Sequence, residues 1–228
     1  RPNIVFVVLD TVRRDHTGLS QTGHSVTPEL DRIAAQGTAF TNAWSSAPWT
    51  VPSHASMFTG MLPSEHACTS RHTRLDTGAP TLAEILGGAG YSTAAFYSNP
   101  WLSDEATGLL RGFDTRSEAG RKGGYTLCTS EHGGRQTLRN ISTWLDGGGE
   151  EQPFFMFVNF LEAHLPYDPP EDYRRSHLDS ELGNTVVSLN WAHEYNAGLR
   201  HLTQRDESVL RSLYAGDVNT ADQMLSLL

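Results

Sequence analysis

The sequence predicts an α/β fold, a mostly parallel (mixed) sheet flanked by helices. Three observations predict it. Ile4–Leu9 and Phe154–Val158 are near-continuous apolar runs of strand length, the mark of strands covered on both faces. Helical periodicity fills the chain between and after them, and strands alternating with helices imply parallel pairing. The 228 residues, 38% of them hydrophobic, are enough for one domain with a sizeable core.

Taken in order, Asn3–Leu9 reads as a buried strand ending at Asp10 and Thr11. Thr27-Pro28-Glu29 reads as an N-cap with proline at the first helical position, opening a helix that stops at Gly37. Phe40–Trp44 reads as a short strand, Pro48–Pro52 as a loop, and Ser53 as the cap of a helix through Gly60. Thr81–Gly90 is a compact amphipathic helix and Ser92–Tyr97 the next strand. Gln136–Leu145 is helical, Phe154–Leu161 is a strand, and Glu171–Leu202 reads as a polar, irregular excursion. Glu207–Leu228 carries a long helical stripe.

Composition narrows the partners. A net charge of -9 argues against nucleic acid. No stretch approaches the ~18 apolar residues of a membrane span, and no signal-peptide pattern opens the chain, which leaves the compartment open between cytoplasm and export. Cys68 and Cys128 form no disulfide framework and no CxxC. Oligomeric state is not legible.

Three short segments carry chemistry. Asp10 puts a carboxylate at the carboxyl end of a buried strand, where open α/β sheets bind ligands and where an unpaired charge is costly. Pro48-Trp49-Thr50-Val51-Pro52-Ser53-His54 puts a hydroxyl just before a helix, whose N-terminus favours an anion. His164, following the second buried strand, can protonate a leaving group. Each also has a structural reading: a strand-end cap, an ordinary Ser53 N-cap, a hydrogen-bonded histidine.

Their order and company decide between these readings. Pro2 through His16, with Asp10-Thr11, resembles the opening strand of the sulfatases. Thr27-Pro28-Glu29-Leu30-Asp31-Arg32-Ile33-Ala34 resembles their first helix, and Trp49–Gly60 with Leu62-Pro63-Ser64-Glu65-His66 their nucleophile segment. Thr81–Leu86, Gly90-Tyr91, Ser98-Asn99, Gly112-Phe113-Asp114, Pro153-Phe154-Phe155 and the run His164–Pro170 follow in register, as does Tyr214 through Asp222.

The resemblance implies the alkaline-phosphatase-like fold and a metal-dependent hydrolase of sulfate or phosphate esters. The ester would be a small molecule or part of a glycan or lipid. Asp10 matches the first ligand of a divalent cation site, calcium by family with manganese or zinc as alternatives; Thr11 stands where many members have a second Asp. Sulfatases carry Cys or Ser, then x-Pro-x-Arg, and oxidise the Cys or Ser to formylglycine. Here Thr50-Val51-Pro52-Ser53-His54 occupies that segment. Oxidising a threonine gives a ketone rather than an aldehyde, so the hydroxyl of Thr50 is implied as the nucleophile and as a metal ligand, as in phosphodiesterase-like and phosphoglycerol-transferase-like members of the superfamily. His54 and His164 are implied to meet the transferred group or leaving oxygen, and Asn99 the substrate. Ser46 in Ser46-Ala47-Pro48 and Ser53 are rival offsets, but the downstream Ser-x-x-x-Thr-Gly register favours Thr50.

The family completes its cation site with a later Asp-His-Gly or Asp-Asn stretch. Thr129–Gly134 looks like it but precedes the Phe154 strand, the wrong order. The chain therefore reads as the N-terminal portion of a single sulfatase-like catalytic domain, residues 1–228, incomplete at its C-terminus. Two other readings stand beside the enzyme: a non-catalytic binding protein on the same fold, and an unrelated α/β protein.

Overall fold

A computed structural model describes residues 1–20, 25–76, 78–119, 133–149, 151–178, 187 and 189–228. Four strands form its sheet: β1 (Ile4–Leu9), β2 (Ser92–Tyr97), β3 (Thr115–Glu118) and β4 (Phe154–Phe160), in the order β1-β4-β2-β3. The helices are α1 (Pro28–Gln36), α2 (Thr50–Thr59), α3 (Pro63–His66), α4 (Leu82–Gly88), α5 (Asp104–Thr107), α6 (Gly134–Trp144), α7 (Glu171–His177), α8 (Leu189–Asn196) and α9 (Gln204–Leu227). The described residues fall into two compact units. One lies within Arg1–Val8, Asn42–Arg121 and Gln136–Phe160, the other within Leu9–Thr41, Lys122–Arg135 and Leu161–Leu228.

The first unit holds the sheet. β2 runs parallel to β4, Ala95 opposite Phe157, and parallel to β3, Ala94 opposite Thr115. Every residue of β4 is buried, which explains why its sequence is apolar apart from Asn159: both faces are covered. On one face Phe155 and Phe157 meet Phe113 and Phe58, the last in α2, with the Phe58 and Phe157 rings 4.9 Å apart and edge-on. On the other, Phe154 and Phe96 meet Trp144 of α6. Aromatic pairs in these edge-to-face arrangements add specific geometry to the burial itself.

β3 has no apolar run to announce it. Its register is set by polar contacts at its entry: Thr93 Oγ1 donates to the Gly112 carbonyl (2.9 Å) and to the Asp114 carboxylate (2.9 Å). Gly112 sits at φ 90, and a Cβ there would fall 2.5 Å from the Glu84 backbone nitrogen, so the position requires glycine.

The second unit packs α1 and α7 on α9. Tyr214 and Val218 of α9 bury against Ala163, Val12 and Val26, while Val209 and Leu213 bury against Val187 and Trp191. Thr203 caps α9, its side chain accepting from Asp206 N at 3.2 Å. The N-terminus of α1 is satisfied differently from the sequence expectation. Thr27 makes no side-chain cap; instead the Asp222 carboxylate accepts from Glu29 N (2.9 Å) and Leu30 N (2.8 Å). A buried carboxylate on a helix N-terminus gains from charge-assisted bonds and from the helix dipole. Asp222→Ala is expected to lower the unfolding free energy by about 1–2 kcal/mol, read as a shift of the urea midpoint at constant m-value.

Several local expectations change. Phe40–Trp44 forms no strand. Helix α2 begins at Thr50, not after Ser53, because proline is tolerated in a first turn, where its missing N–H has no helical partner to lose. Glu171–Leu202 contains α7 and α8 rather than an irregular excursion. Cys68 is a free, fully buried thiol, its pKa pushed up by burial; Cys128 and Thr129–His132 lie outside the described residues. No described helix is long and apolar enough to cross a membrane.

Candidate active site

Thr50 is the first residue of α2, preceded by Trp49 in extended conformation. Its hydroxyl oxygen accepts from Asn99 Nδ2 at 3.0 Å. The orientation of that amide is fixed on its other side: Asn99 Oδ1 accepts from Trp101 N at 3.0 Å, and a backbone N–H can only donate. Nδ2 is therefore the atom facing Thr50. Asn99, buried at the end of β2, closes the gap between the sheet edge and the helix start. A donor held on a hydroxyl oxygen stabilises negative charge developing there, so Asn99 favours the alkoxide form of Thr50.

His54, one turn further along α2, is 2% exposed. Its Nδ1 lies 2.8 Å from the Thr50 carbonyl oxygen. A carbonyl accepts only, so Nδ1 carries the proton. The ring rests edge-on against Phe58 and Phe157, at 6.1 and 5.9 Å between centroids. Thr50, Asn99 and His54 are thus brought together in one unit, His54 through the main chain of Thr50.

The family segment Leu62–His66 also acquires a role here. His66, fully buried, accepts from Cys68 N at 3.0 Å on Nδ1 and faces Ser56 Oγ at 3.0 Å with Nε2. It fastens the end of α2 to the following turn.

Asp10, Thr11 and His164 belong to the second unit. Asp10 directly follows β1 and is 8% exposed. Thr11 has φ 60, a left-handed backbone that a β-branched residue adopts at a cost of about 1–3 kcal/mol. The turn is held by Tyr214, whose hydroxyl donates to the Thr11 carbonyl (2.7 Å) and accepts from Arg13 N (2.7 Å). Burial pushes the Tyr214 hydroxyl up to about 12, so it stays a donor. The Thr11 hydroxyl itself is exposed and turns back to donate to the Asp10 carbonyl at 2.7 Å. His164 Nδ1 lies 2.7 Å from the Leu165 carbonyl, which again places the proton on Nδ1 and leaves Nε2 as the basic nitrogen of the neutral ring.

Asp10 has the chemistry of a cation ligand, an oxygen donor directly after β1, which is a partly buried strand and not the fully buried one its sequence suggests. Among the described residues, however, no three His, Cys, Asp or Glu side chains gather to hold an ion.

A family model described as Sulfatase matches residues 2–228. The chain belongs to the sulfatase family. Sulfatases similar to it include the ulvan-active sulfatase of Formosa agariphila, 34% identical over 92% of this chain and 46% of that protein. The arylsulfatase of Clostridium perfringens is 24% identical over 85% of this chain and 50% of that protein. The chain spans about half the length of these relatives. Among solved structures, the phosphonate monoester hydrolase of Agrobacterium radiobacter matches with TM-score 0.73 and 19% identity, over 99% of this chain and 58% of that one. The lipoteichoic acid synthase LtaP of Listeria monocytogenes matches with TM-score 0.65 and 21% identity, over 98% and 50%. These likenesses bear out the sulfatase fold expected from the sequence.

Sequence reasoning passed over two residues beside Thr50. Trp49 and Trp101 are in edge-to-face contact, with ring centroids 5.9 Å apart at 88°. The available signal was an indole adjoining each of two family motifs, Trp49-Thr50 and Asn99-Pro100-Trp101.

Proposed function

We propose that this sulfatase-family chain carries the nucleophile of an enzyme that hydrolyses, or transfers, a sulfate or phosphate ester. The observation that carries the reading is the 3.0 Å bond from the Asn99 amide to the Thr50 hydroxyl at the start of α2. The ester's anionic oxygens suit the helix N-terminus, and the Thr50 oxygen attacks the sulfur or phosphorus. The bond from that atom to the alcohol oxygen breaks, and the proton lost by Thr50 ends on the departing alcohol. Water then releases sulfate or phosphate from Thr50; a second alcohol in its place makes the reaction a transfer.

Asn99 steadies the oxygen of Thr50 before attack and again when it leaves. His54 acts as a positioning residue, gripping the main chain of Thr50 from within the aromatic core. Two assignments rest on their own surroundings alone. Asp10 would serve as a divalent-cation ligand, for calcium by family, or manganese or zinc. His164 would act on a leaving oxygen as an acid only after Nε2, its basic nitrogen, has taken up a proton. Thr11 offers at most a neutral oxygen to such an ion.

The phosphodiesterase or phosphotransferase reading has one specific support: a threonine cannot become formylglycine, and a direct hydroxyl attack suits phosphorus. The two are separated by assaying the full-length protein on aryl sulfate, aryl phosphate and aryl phosphonate esters with calcium, manganese and zinc in turn. Turnover of at least one ester is expected. Silence across the whole panel would overturn the enzymatic reading in favour of a non-catalytic binding protein.

A further inference from the structure

Trp101 is 51% exposed, although an indole is among the most favourable side chains to bury. Its main chain is firmly held. It sits in the short 3-10 turn Pro100–Leu102, between a proline of fixed φ and the fully buried Leu102. Its backbone N–H donates to Asn99 Oδ1. Trp49, half-buried, packs on the core of the first unit and meets Trp101 edge-to-face. Both indoles are tied to Thr50. Trp49 precedes it in the chain, and the backbone of Trp101 reaches it through one amide group and two hydrogen bonds. An uncharged aromatic pair is therefore carried by the two chain segments that hold the hydroxyl.

An ester placed on Thr50 has two unlike halves. The charged head needs N–H donors and cations; neither indole supplies a charge. The alcohol half must project away from the attacked atom, and the exposed indole of Trp101, in contact with Trp49, is the aromatic surface these segments offer it. Binding sites pair such apolar walls with a few polar groups that fix orientation.

We propose that the Trp49–Trp101 pair is the subsite for the leaving group, selecting esters whose alcohol is a ring with an apolar face. An aryl ring and a pyranose ring share that face. The proposal rests on Thr50 marking where the ester head sits.

Its test is a ratio of affinities, measured by calorimetry in full-length Thr50→Ala protein, where ligand is not consumed. The probes are phenyl sulfate, phenyl phosphate and galactose 6-sulfate, each compared with the matching methyl ester. The Thr50→Ala background is expected to bind a ring ester at least tenfold more tightly than the methyl ester. Adding Trp101→Ala is expected to reduce that preference about tenfold, and adding Trp101→Phe to keep most of it. Loss of preference for the phenyl esters alone, or for the sugar ester alone, identifies which ring the subsite takes. An undiminished preference after Trp101→Ala, or none to begin with, overturns the proposal. Because binding is read without turnover, catalysis that persists in Thr50→Ala would sink the nucleophile assignment and leave the subsite standing on its own data.

Discussion

Thr50→Ala in the full-length protein is expected to lower kcat on the order of 10³-fold or more, the scale of losing a nucleophile. Alanine is a good helix former at the first position of α2, so the melting temperature should hold close to that of the parent protein. Thr50→Ser keeps a hydroxyl at the same place and should retain a measurable share of the rate. Asn99→Ala removes one donor to the reacting oxygen and is expected to cost about 10²-fold in kcat, as loss of a single preorganised donor does elsewhere. The ranking Ala below Ser at position 50, with Asn99→Ala between wild type and Thr50→Ala, is what the bond between Asn99 and Thr50 requires. Acid quenching during turnover, followed by intact mass, should show one sulfo or phospho group on the wild-type chain and none on Thr50→Ala. Equal rates for Thr50→Ala and wild type would remove Thr50 from the chemistry.

How much of this was legible in the sequence depended on the range of the forces involved. β4 was legible because a strand buried on both faces is apolar at nearly every position, as Phe154–Phe160 is apart from Asn159; β1 has the same apolar run although it is only partly buried, with Val5 49% exposed. The stripe in α9 was legible for the same reason, one face of a long helix meeting a core. β3 was not: Thr115–Glu118 is polar throughout, and its place beside β2 is set by Thr93 reaching Gly112 and Asp114. Two prolines around Thr50 suggested a loop, although Pro52 stands where a helix loses nothing by its missing N–H. The cap on α1 comes from Asp222, far along the chain, which no local pattern around Thr27 discloses. At the site, Thr50 was named by family register, whereas its contact with Asn99 bridges 49 residues and became visible only in three dimensions. The indoles went unremarked because a lone tryptophan in a sequence is usually core; only the exposure of Trp101 separates it from that class.

Stability should fall as pH rises from about 4 to about 8, with Asp217 a principal contributor and Asp222, its carboxyl also raised by burial, acting in the same direction. Asp217 lies on α9 at 1% exposure, its carboxylate oxygen accepting from Asp168 N at 3.0 Å. Burial pushes its carboxyl up to about 8; the Asp168 amide opposes this, the Asp168 and Glu162 charges add to it, and Arg174 opposes it. An unfolded aspartate releases its proton near pH 3.9. Between the two values the folded chain holds a proton that the unfolded chain has lost, so each pH unit costs at most about 1.4 kcal/mol of stability. The contribution is whole below the unfolded pKa and gone above the folded one. Asp217→Asn keeps an acceptor for the Asp168 amide but has nothing to titrate. Urea unfolding of the two proteins should therefore give similar midpoints near pH 4. By pH 9 the variant should be ahead by roughly 2 kcal/mol or more. Taking the difference between variant and wild type cancels groups that titrate in the opposite direction, such as Asp15, whose carboxyl is held low by Arg13. Parallel pH profiles for the two proteins would show that Asp217 is ionised in the folded state at neutral pH.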